Sequence, residues 1–513
     1  MISKTKIVFL KVLQTVGLFC LCTTFLSAQS NNDFVIKSSD QLSLSGKTFY
    51  SIGVNAYYLQ NLAAYGDTNH IIEVLQSAKA FGVNTIRTLA FFDAHDTSNH
   101  AVIQYAPGLY HEQGLRALDY VLAKAKQFSL RLVLPLVNNW ENYGGMNQYV
   151  SWMGGSPSLM NKEVSAIQQK IIYGVEDRTY RVYVTNTHTH DDFYTNDTIK
   201  TWYKNYIQTI LNRRNTYTNI LYKDDPTIIL WELANEPRSQ DPSGDLIYQW
   251  LSEMSLYIKT IDSNHLVASG EEGFDCFPER FSDASYYNNQ SWLFNGSGGI
   301  SFTRNLTIPT LDVAGIHCYP TGWNLTPQSS IVWLKDHQEL AGNSNKPLLI
   351  GELGTLESPQ ILYHVYFNEA YHRKTSGILL WQLIYLGRPN NDGYGFTCPI
   401  NQEICSILAQ YAYKFELKRD GLVSNPTYIR LYQNFPNPFN NMTVIAYDLP
   451  TGNHVKIDIF DEIGHFITNL EDENQSAGYH ETLFDASNHA SGVYFVRTSI
   501  GGNILTKKIV LTK

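Results

Sequence analysis

Charge is scarce in this chain. Asp, Glu, Lys and Arg make up only 17% of its 513 residues, the balance is −9, and no dense Lys/Arg block interrupts it. Nucleic acid would need a basic stripe or patch, so it is excluded as a partner. Long apolar runs are equally rare: past the N-terminal stretch none approaches the about 18 residues of a transmembrane helix, and no membrane span is expected. No His-x-x-x-His or comparable spacing assembles three metal ligands. His188 and His190, in the loop Thr187-His188-Thr189-His190-Asp191-Asp192, are expected to be solvated. A Gly-x-Ser-x-Gly elbow is missing, which removes the usual serine hydrolase. No Gly-rich phosphate loop follows the first interior strand; Ala56-Tyr57-Tyr58-Leu59 stands there, so no dinucleotide site is expected. Neither a metal nor an organic cofactor is called for.

What the chain has instead is rings. Aromatics reach 13%, with 34 Tyr and 9 Trp, a composition that excludes disorder and suits a neutral polymer stacking on flat side chains. Residues 1–28 carry Lys4, Lys6 and Lys11 ahead of the apolar run Thr15–Leu26, and end in Ser27-Ala28, the pattern of a signal peptide. A lipid anchor through Cys22 is disfavoured by the preceding Phe19-Cys20-Leu21. Beyond the leader the cysteines are Cys276, Cys318, Cys398 and Cys405. The last two are close enough to clip a loop in an oxidising compartment, while Cys318 lies in an apolar strand as a small buried side chain.

The centre of the sequence is Thr227-Ile228-Ile229-Leu230-Trp231-Glu232-Leu233, an apolar and β-branched run with no solvent face, ending in Ala234-Asn235-Glu236-Pro237-Arg238. A strand buried on both sides reads this way. Seven further segments resemble it: Phe49–Asn55, Asn84–Leu89, Leu130–Val137, His265–Ser269, Leu311–His317, Pro347–Gly351 and Gly377–Trp381. Helical periodicity falls between them at Ile71–Phe81, Glu112–Phe128, Thr201–Arg213, Asp245–Ile261, Ser329–Leu340 and Ile361–His372, and closes at Ile404–Phe415. Eight such strands alternating with helices predict an α/β fold, a (β/α)8 TIM barrel. A polar lead-in ends in a short hairpin over Gln41–Tyr50, and Arg178–Val184 alternates like a hairpin strand.

From Ile429 the helices stop. Met442–Tyr447, Val455–Phe460, Tyr479–Phe484 and Gly492–Thr498 read as short strands between turn residues, giving a small all-β, sandwich-like domain. The organisation expected is a leader over 1–28, a barrel over 29–418, a linker over 419–428 and the β domain over 429–513.

Polar groups stand at or just past the ends of most barrel strands: Arg87, Trp140, Asn235 with Glu236, His317 with Tyr319, Glu352 and Trp381. In a barrel that end carries the chemistry. Either glutamate alone could be a surface or ion-paired residue; two at one face form the pair that glycosidic cleavage needs, one protonated and one ionised. Arg87 is a natural partner for the ionised member, Asn235 for a sugar hydroxyl, and the faces of Trp140 and Trp381 for pyranose rings. His317 and Tyr319 could orient the pair.

Longer motifs resemble a known group. They are Asn84-Thr85-Ile86-Arg87-Thr88, Asn138-Asn139-Trp140-Glu141-Asn142-Tyr143-Gly144-Gly145, Asp191-Asp192-Phe193-Tyr194, Tyr222-Lys223-Asp224-Asp225-Pro226, Ser269-Gly270-Glu271-Glu272-Gly273, His317-Cys318-Tyr319-Pro320 and Gly351-Glu352-Leu353-Gly354. Together with Trp231–Arg238 they resemble the retaining glycoside hydrolases of family 5, and among these the endo-β-1,4-mannanases, over about residues 32–415. The resemblance implies Glu236 as acid/base and Glu352 as nucleophile, with Arg87, Trp140, Asn235, His317, Tyr319 and Trp381 in support, and a mannan, galactomannan or glucomannan as substrate. An endo-β-1,4-glucanase or xyloglucanase of the same family is the alternative, and a catalytically silent polysaccharide binder the alternative from another class. The chain departs from the family between Met153 and His190.

The tail, with Leu431-Tyr432-Gln433-Asn434-Phe435-Pro436-Asn437-Pro438-Phe439-Asn440, Ala490-Ser491-Gly492-Val493-Tyr494-Phe495 and Lys507-Lys508-Ile509-Val510, resembles the type A sorting domain of type IX secretion. That implies the type IX export machinery as a partner through residues 429–513, and an enzyme secreted by, or attached to the surface of, a Gram-negative bacterium; separately, a monomer is expected.

Overall fold

The computed structural model describes residues 33–154, 189–421, 426–435 and 437–513. The leader, the strand expected at Arg178–Val184, His188 and nearly all of the departure after Met153 lie outside them. Eight parallel strands build the barrel: β1 (Ser51–Asn55), β2 (Thr85–Arg87), β3 (Arg131–Pro135), β4 (Ile228–Glu232), β5 (Leu266–Ala268), β6 (Ala314–Cys318), β7 (Leu348–Leu353) and β8 (Gly377–Leu380). Their order is β5-β4-β3-β2-β1-β8-β7-β6. The ends join where Ala268 bridges Val313 and the N–H of Asp312 donates to the Val267 carbonyl at 2.8 Å.

The outer layer is α1 (Thr68–Ala80), α2 (Glu112–Gln127), α3 (Asp197–Leu211), α4 (Asp245–Ile261), α5 (Pro327–Asn343), α6 (Pro359–Arg373) and α7 (Gln402–Arg419). Among the described residues one crossover departs from the pattern. Between β5 and β6 the Gly- and Asn-rich stretch makes three 3-10 turns and the four-residue helix Phe302–Asn305.

The strands are continuous apolar runs because they are covered twice. Ile52, Val54, Ile86, Leu132, Leu134 and Trp231 join the core beneath the helices. Val133, Leu230, Leu349 and Leu379 face the axis and meet Val35, Leu42 and Phe49 of the lead-in. The lead-in strands Val35–Ser38, Gln41–Leu44 and Lys47–Phe49 therefore plug the end of the barrel where the strands begin. This corrects the expectation of one strand over Phe49–Asn55. Phe49 pairs with Leu42 in the lead-in sheet, Tyr50 packs on Phe415, and the barrel strand starts at Ser51.

The tail holds two antiparallel sheets. β9 (Arg430–Leu431), β10 (Met442–Leu449) and β13 (Gly478–Asp485) form one, in the order β9-β10-β13; β11 (Asn453–Asp461), β12 (Phe466–Gln475), β14 (Gly492–Ile500) and β15 (Asn503–Leu511) form the other, in the order β12-β11-β14-β15. Ile445, Tyr447 and Phe484 meet Val455, Ile457, Ile459 and Val496 between them. Cys398 and Cys405 form a disulfide, and Cys318 is a buried free thiol. No helix among the described residues is long and apolar enough to cross a membrane.

Candidate active site

Strand register brings the polar ends together. Arg87 pairs in register with Asn55, and His317 with Glu352. Alternation alone would point Gly351 and Glu352 to opposite faces, but the ladder slips between Ile316 and His317 and again between Ile350 and Leu353. A slip of this kind re-aims a side chain. A β-carbon on Gly351 would lie 3.1 Å from His317 Nε2, and Glu352 itself reaches Arg87, so two consecutive residues face the same mouth. Glu236 reaches the site by another route. Its φ is +52°, a left-handed conformation that costs a non-glycine residue about 1–3 kcal/mol unless its surroundings impose it. Its N–H donates to the Gly270 carbonyl at 2.8 Å, which fixes that turn.

The two carboxyls stand face to face. His317 Nδ1 is 2.8 Å from Glu236 Oε1 and 3.7 Å from Glu352 Oε2, and one ligating atom from each of the three residues lies within 4.8 Å of the others. Glu352 is held by Arg87 Nη1 at 2.5 Å and by the hydroxyl of Tyr319. Glu236 accepts the indole N–H of Trp140 at 2.5 Å. Burial pushes both carboxyls above their ordinary range; His317 and Arg87 oppose it at Glu352, and Arg238, the Trp140 N–H and Arg87 oppose it at Glu236. Two such groups, held close and partly desolvated, titrate as a pair.

Burial also lowers the His317 pKa, which favours a neutral imidazole between the acids. It raises Tyr319, with the Glu352 charge adding to the effect, so the phenol stays a proton donor. The close packing needs a glycine: a β-carbon on Gly354 would lie 2.7 Å from the Tyr319 ring.

All eight residues singled out in the sequence gather here. Asn235 spends its amide on protein neighbours, accepting from Arg87 Nη2 at 2.7 Å and donating to Asn138 Oδ1 at 3.0 Å. Trp381 stacks on Tyr57 at 5.3 Å with ring planes 6° apart, and its indole N–H donates to Asp392 at 2.8 Å. Trp140 does more than offer a face, since its N–H is bound to Glu236 and the Arg238 guanidinium lies 5.1 Å from its ring.

Sequence reasoning passed over Glu232, Arg238, Glu272, Tyr57 and Asp392. Glu232 accepts from Arg87 Nε at 2.8 Å. Glu272 holds Arg238 through both oxygens, at 2.7 and 2.5 Å, and burial pushes its carboxyl up to about 7 against the pull of Arg238. A charged residue inside an apolar strand was the available signal for Glu232. Membership in the Ser269–Gly273 motif was the signal for Glu272. His190 is a correction: it is buried, not solvated, against Tyr194 and beside Asp191.

Comparison with known proteins agrees with this geometry. The family described as GH family 5 beta-mannosidase-like matches residues 32–287, and the secretion system C-terminal sorting domain matches residues 433–512. Mannan endo-1,4-beta-mannosidase 4 of Solanum lycopersicum is 35% identical over 391 residues, 72% of this chain and 88% of that one. The structure of the endo-beta-1,4-mannanase from Thermotoga petrophila superposes with a TM-score of 0.65 at 28% identity, covering 91% of this chain and 98% of the other. That of the Rhizomucor miehei endo-1,4-beta-mannanase gives 0.61 at 31% identity, covering 74% and 99%. The chain thus belongs to the β-mannosidase-like group of glycoside hydrolase family 5, and its tail is a secretion-system sorting domain.

Proposed function

We propose that the protein is an endo-acting β-1,4-mannanase, cleaving mannan, galactomannan or glucomannan with net retention at the anomeric carbon. The observation that carries the retaining part of this reading is the closeness of Glu236 and Glu352, one oxygen of each lying within 4.8 Å of the other and of one His317 ring nitrogen; similarity to the mannan endo-1,4-beta-mannosidases supports the substrate. Retaining pairs stand about 5–5.5 Å apart, whereas inverting pairs leave about 6.5–9.5 Å for a water. Glu352 attacks the anomeric carbon while Glu236 gives its proton to the departing glycosidic oxygen. The sugar is then an ester of Glu352. Glu236, now ionised, takes a proton from water, whose oxygen displaces Glu352 from the same carbon. Arg87 and Tyr319 hold the attacking carboxylate at the correct face, and Trp140 orients the acid.

The catalytic unit is taken as residues 29–418, the linker as 419–428 and the exported tail as 429–513. The tail addresses the chain to type IX secretion out of a Gram-negative cell, which places the enzyme where polysaccharide is found. The test is a substrate panel: products are followed over time on mannan, galactomannan, cellulose and xyloglucan. Internal cleavage of the mannans, with a ladder of oligosaccharides appearing early, is expected. Preferred cleavage of cellulose or xyloglucan would replace the substrate assignment, and binding without new reducing ends would replace catalysis.

A further inference from the structure

The sheet β9-β10-β13 of the tail is covered on both sides. Every residue of β10 is buried. Alternation sends Ile445, Tyr447 and Leu449 into the sandwich and Met442 and Val444 the other way, where with Leu483 of β13 they join the core of the barrel domain. The outer face of a two-sheet sandwich is normally polar and wet. This one packs on α5 and α6.

A charged rim surrounds that apolar centre: the tail contributes anions, and the barrel contributes cations together with Glu369, which pairs with Arg373 at 2.9 Å. Lys335 of α5 lies 3.4 Å from Glu471 and 3.6 Å from Glu473. Arg373 of α6 reaches Glu473 at 2.7 Å, and His364 reaches Glu481 at 2.7 Å. Tyr411 of α7 adds a hydroxyl contact to Glu481 at 3.4 Å. His372 stacks on His480 at 4.1 Å, which in turn stacks on Tyr447. An apolar centre inside a complementary polar rim is the anatomy of a specific protein–protein interface.

We propose that the sorting domain is a docked subunit of the enzyme rather than a tethered one: when the chain is cut in the linker, residues 429–513 stay bound to the barrel through the outer face of β10 and β13. Proteolysis alone then does not free the tail. A partner that reads the tail of the folded enzyme does so from the β14–β15 side of the four-stranded sheet, because the other sheet is occupied and β12, at the opposite edge, carries Glu471 and Glu473 of the rim. The inference is independent of which polysaccharide the barrel cleaves.

The test is a full-length chain with a protease site inserted between Gly421 and Pro426, cut under native conditions and passed over a size-exclusion column at neutral pH. Co-elution of the two fragments, resolved only on a denaturing gel, is expected; separate elution of the small fragment overturns the proposal. In the cut protein, Lys335→Glu with Arg373→Glu sets like charges against Glu471 and Glu473, and retention of the tail should weaken by about tenfold or more. Unchanged retention would overturn the role given to the rim. Lys456→Glu on the exposed side of the four-stranded sheet, where Lys456 pairs with Asp472, should leave co-elution intact, and loss there would also contradict the proposed face.

Discussion

Arg87 is shared between Glu232 and Glu352: its Nε donates to Glu232 at 2.8 Å, and its Nη1 to Glu352 at 2.5 Å. Burial works against the guanidinium charge, but the two carboxylates outweigh it and keep Arg87 ionised. The sharing matters once the reaction starts. An ester on Glu352 carries no charge, and Glu232 is then the carboxylate still hydrogen-bonded to Arg87.

Glu232→Gln should therefore slow turnover without removing any contact to sugar. A hydrogen bond to a charged group contributes about 1.5–3 kcal/mol, so kcat should fall by about ten- to a hundredfold while KM changes little. Steady-state kinetics on a soluble mannan checks this; a variant with parental kcat would show that Arg87 needs only Glu352.

The Trp140 N–H bond to Glu236 makes a prediction about pH. The donor stabilises the ionised acid, so Trp140→Phe removes a pull that lowers the Glu236 pKa. Glu236 must be protonated to act in the first step, and a higher pKa keeps it protonated into more alkaline solution. The basic limb of kcat/KM should move to higher pH, with a loss of rate at the optimum. Unchanged limbs would mean that the indole serves only as a ring face.

Acid should open the seam between barrel and tail. Burial lowers the pKa of both His372 and His480, so the docked state favours the neutral rings. The contribution is present above the free imidazole value of about 6.5 and is lost as pH falls below it, because the undocked state binds more protons. Lys414, Lys418 and Arg373 around His372 add repulsion once it is charged. Ser476, Glu369 and Asp448 near His480 work the other way, and Arg373 adds to the lowering. Glu473 and Glu481 are held below their usual range against burial, by Lys335 and Arg373 and by His364 and Tyr479 respectively, so they keep their charges down to pH 5 and the two histidines set the direction. Size-exclusion chromatography of the cut chain from pH 7.5 to pH 5 should show the tail released toward the acid end. Retention that tightens in acid would contradict the assignment.

The barrel was legible because two-sided burial leaves a continuous apolar run, as in Ile228–Trp231, and because its polar ends break that run abruptly. Strand β12 was not foreseen: Phe466–Gln475 is largely polar and sits at a sheet edge, and its Glu471 and Glu473 meet cations of the barrel rather than an apolar layer. β15 is another edge strand, with exposed residues on its outer side. Tyr50 could not be recognised as a break, since its neighbours on both sides are strands and only the plug beneath the barrel separates them. In the site, Glu236 and Glu352 were readable from the ends of their strands. Arg238 with Glu272 was not, because that pair exists only where the loop after β5 folds back over the loop after β4. The seam was equally hidden. Met442 and Val444 alternate as in any half-buried strand, and nothing in their spacing says that the solvent face is a second protein surface.

The most direct test is the anomeric form of the first product. Proton NMR of mannohexaose cleavage, begun as enzyme is added and finished before mutarotation, should show the β-anomer of the new reducing end first, with Glu352→Ala giving no product. An α-anomer appearing first would contradict retention through Glu352, and full activity of Glu352→Ala would contradict the site itself.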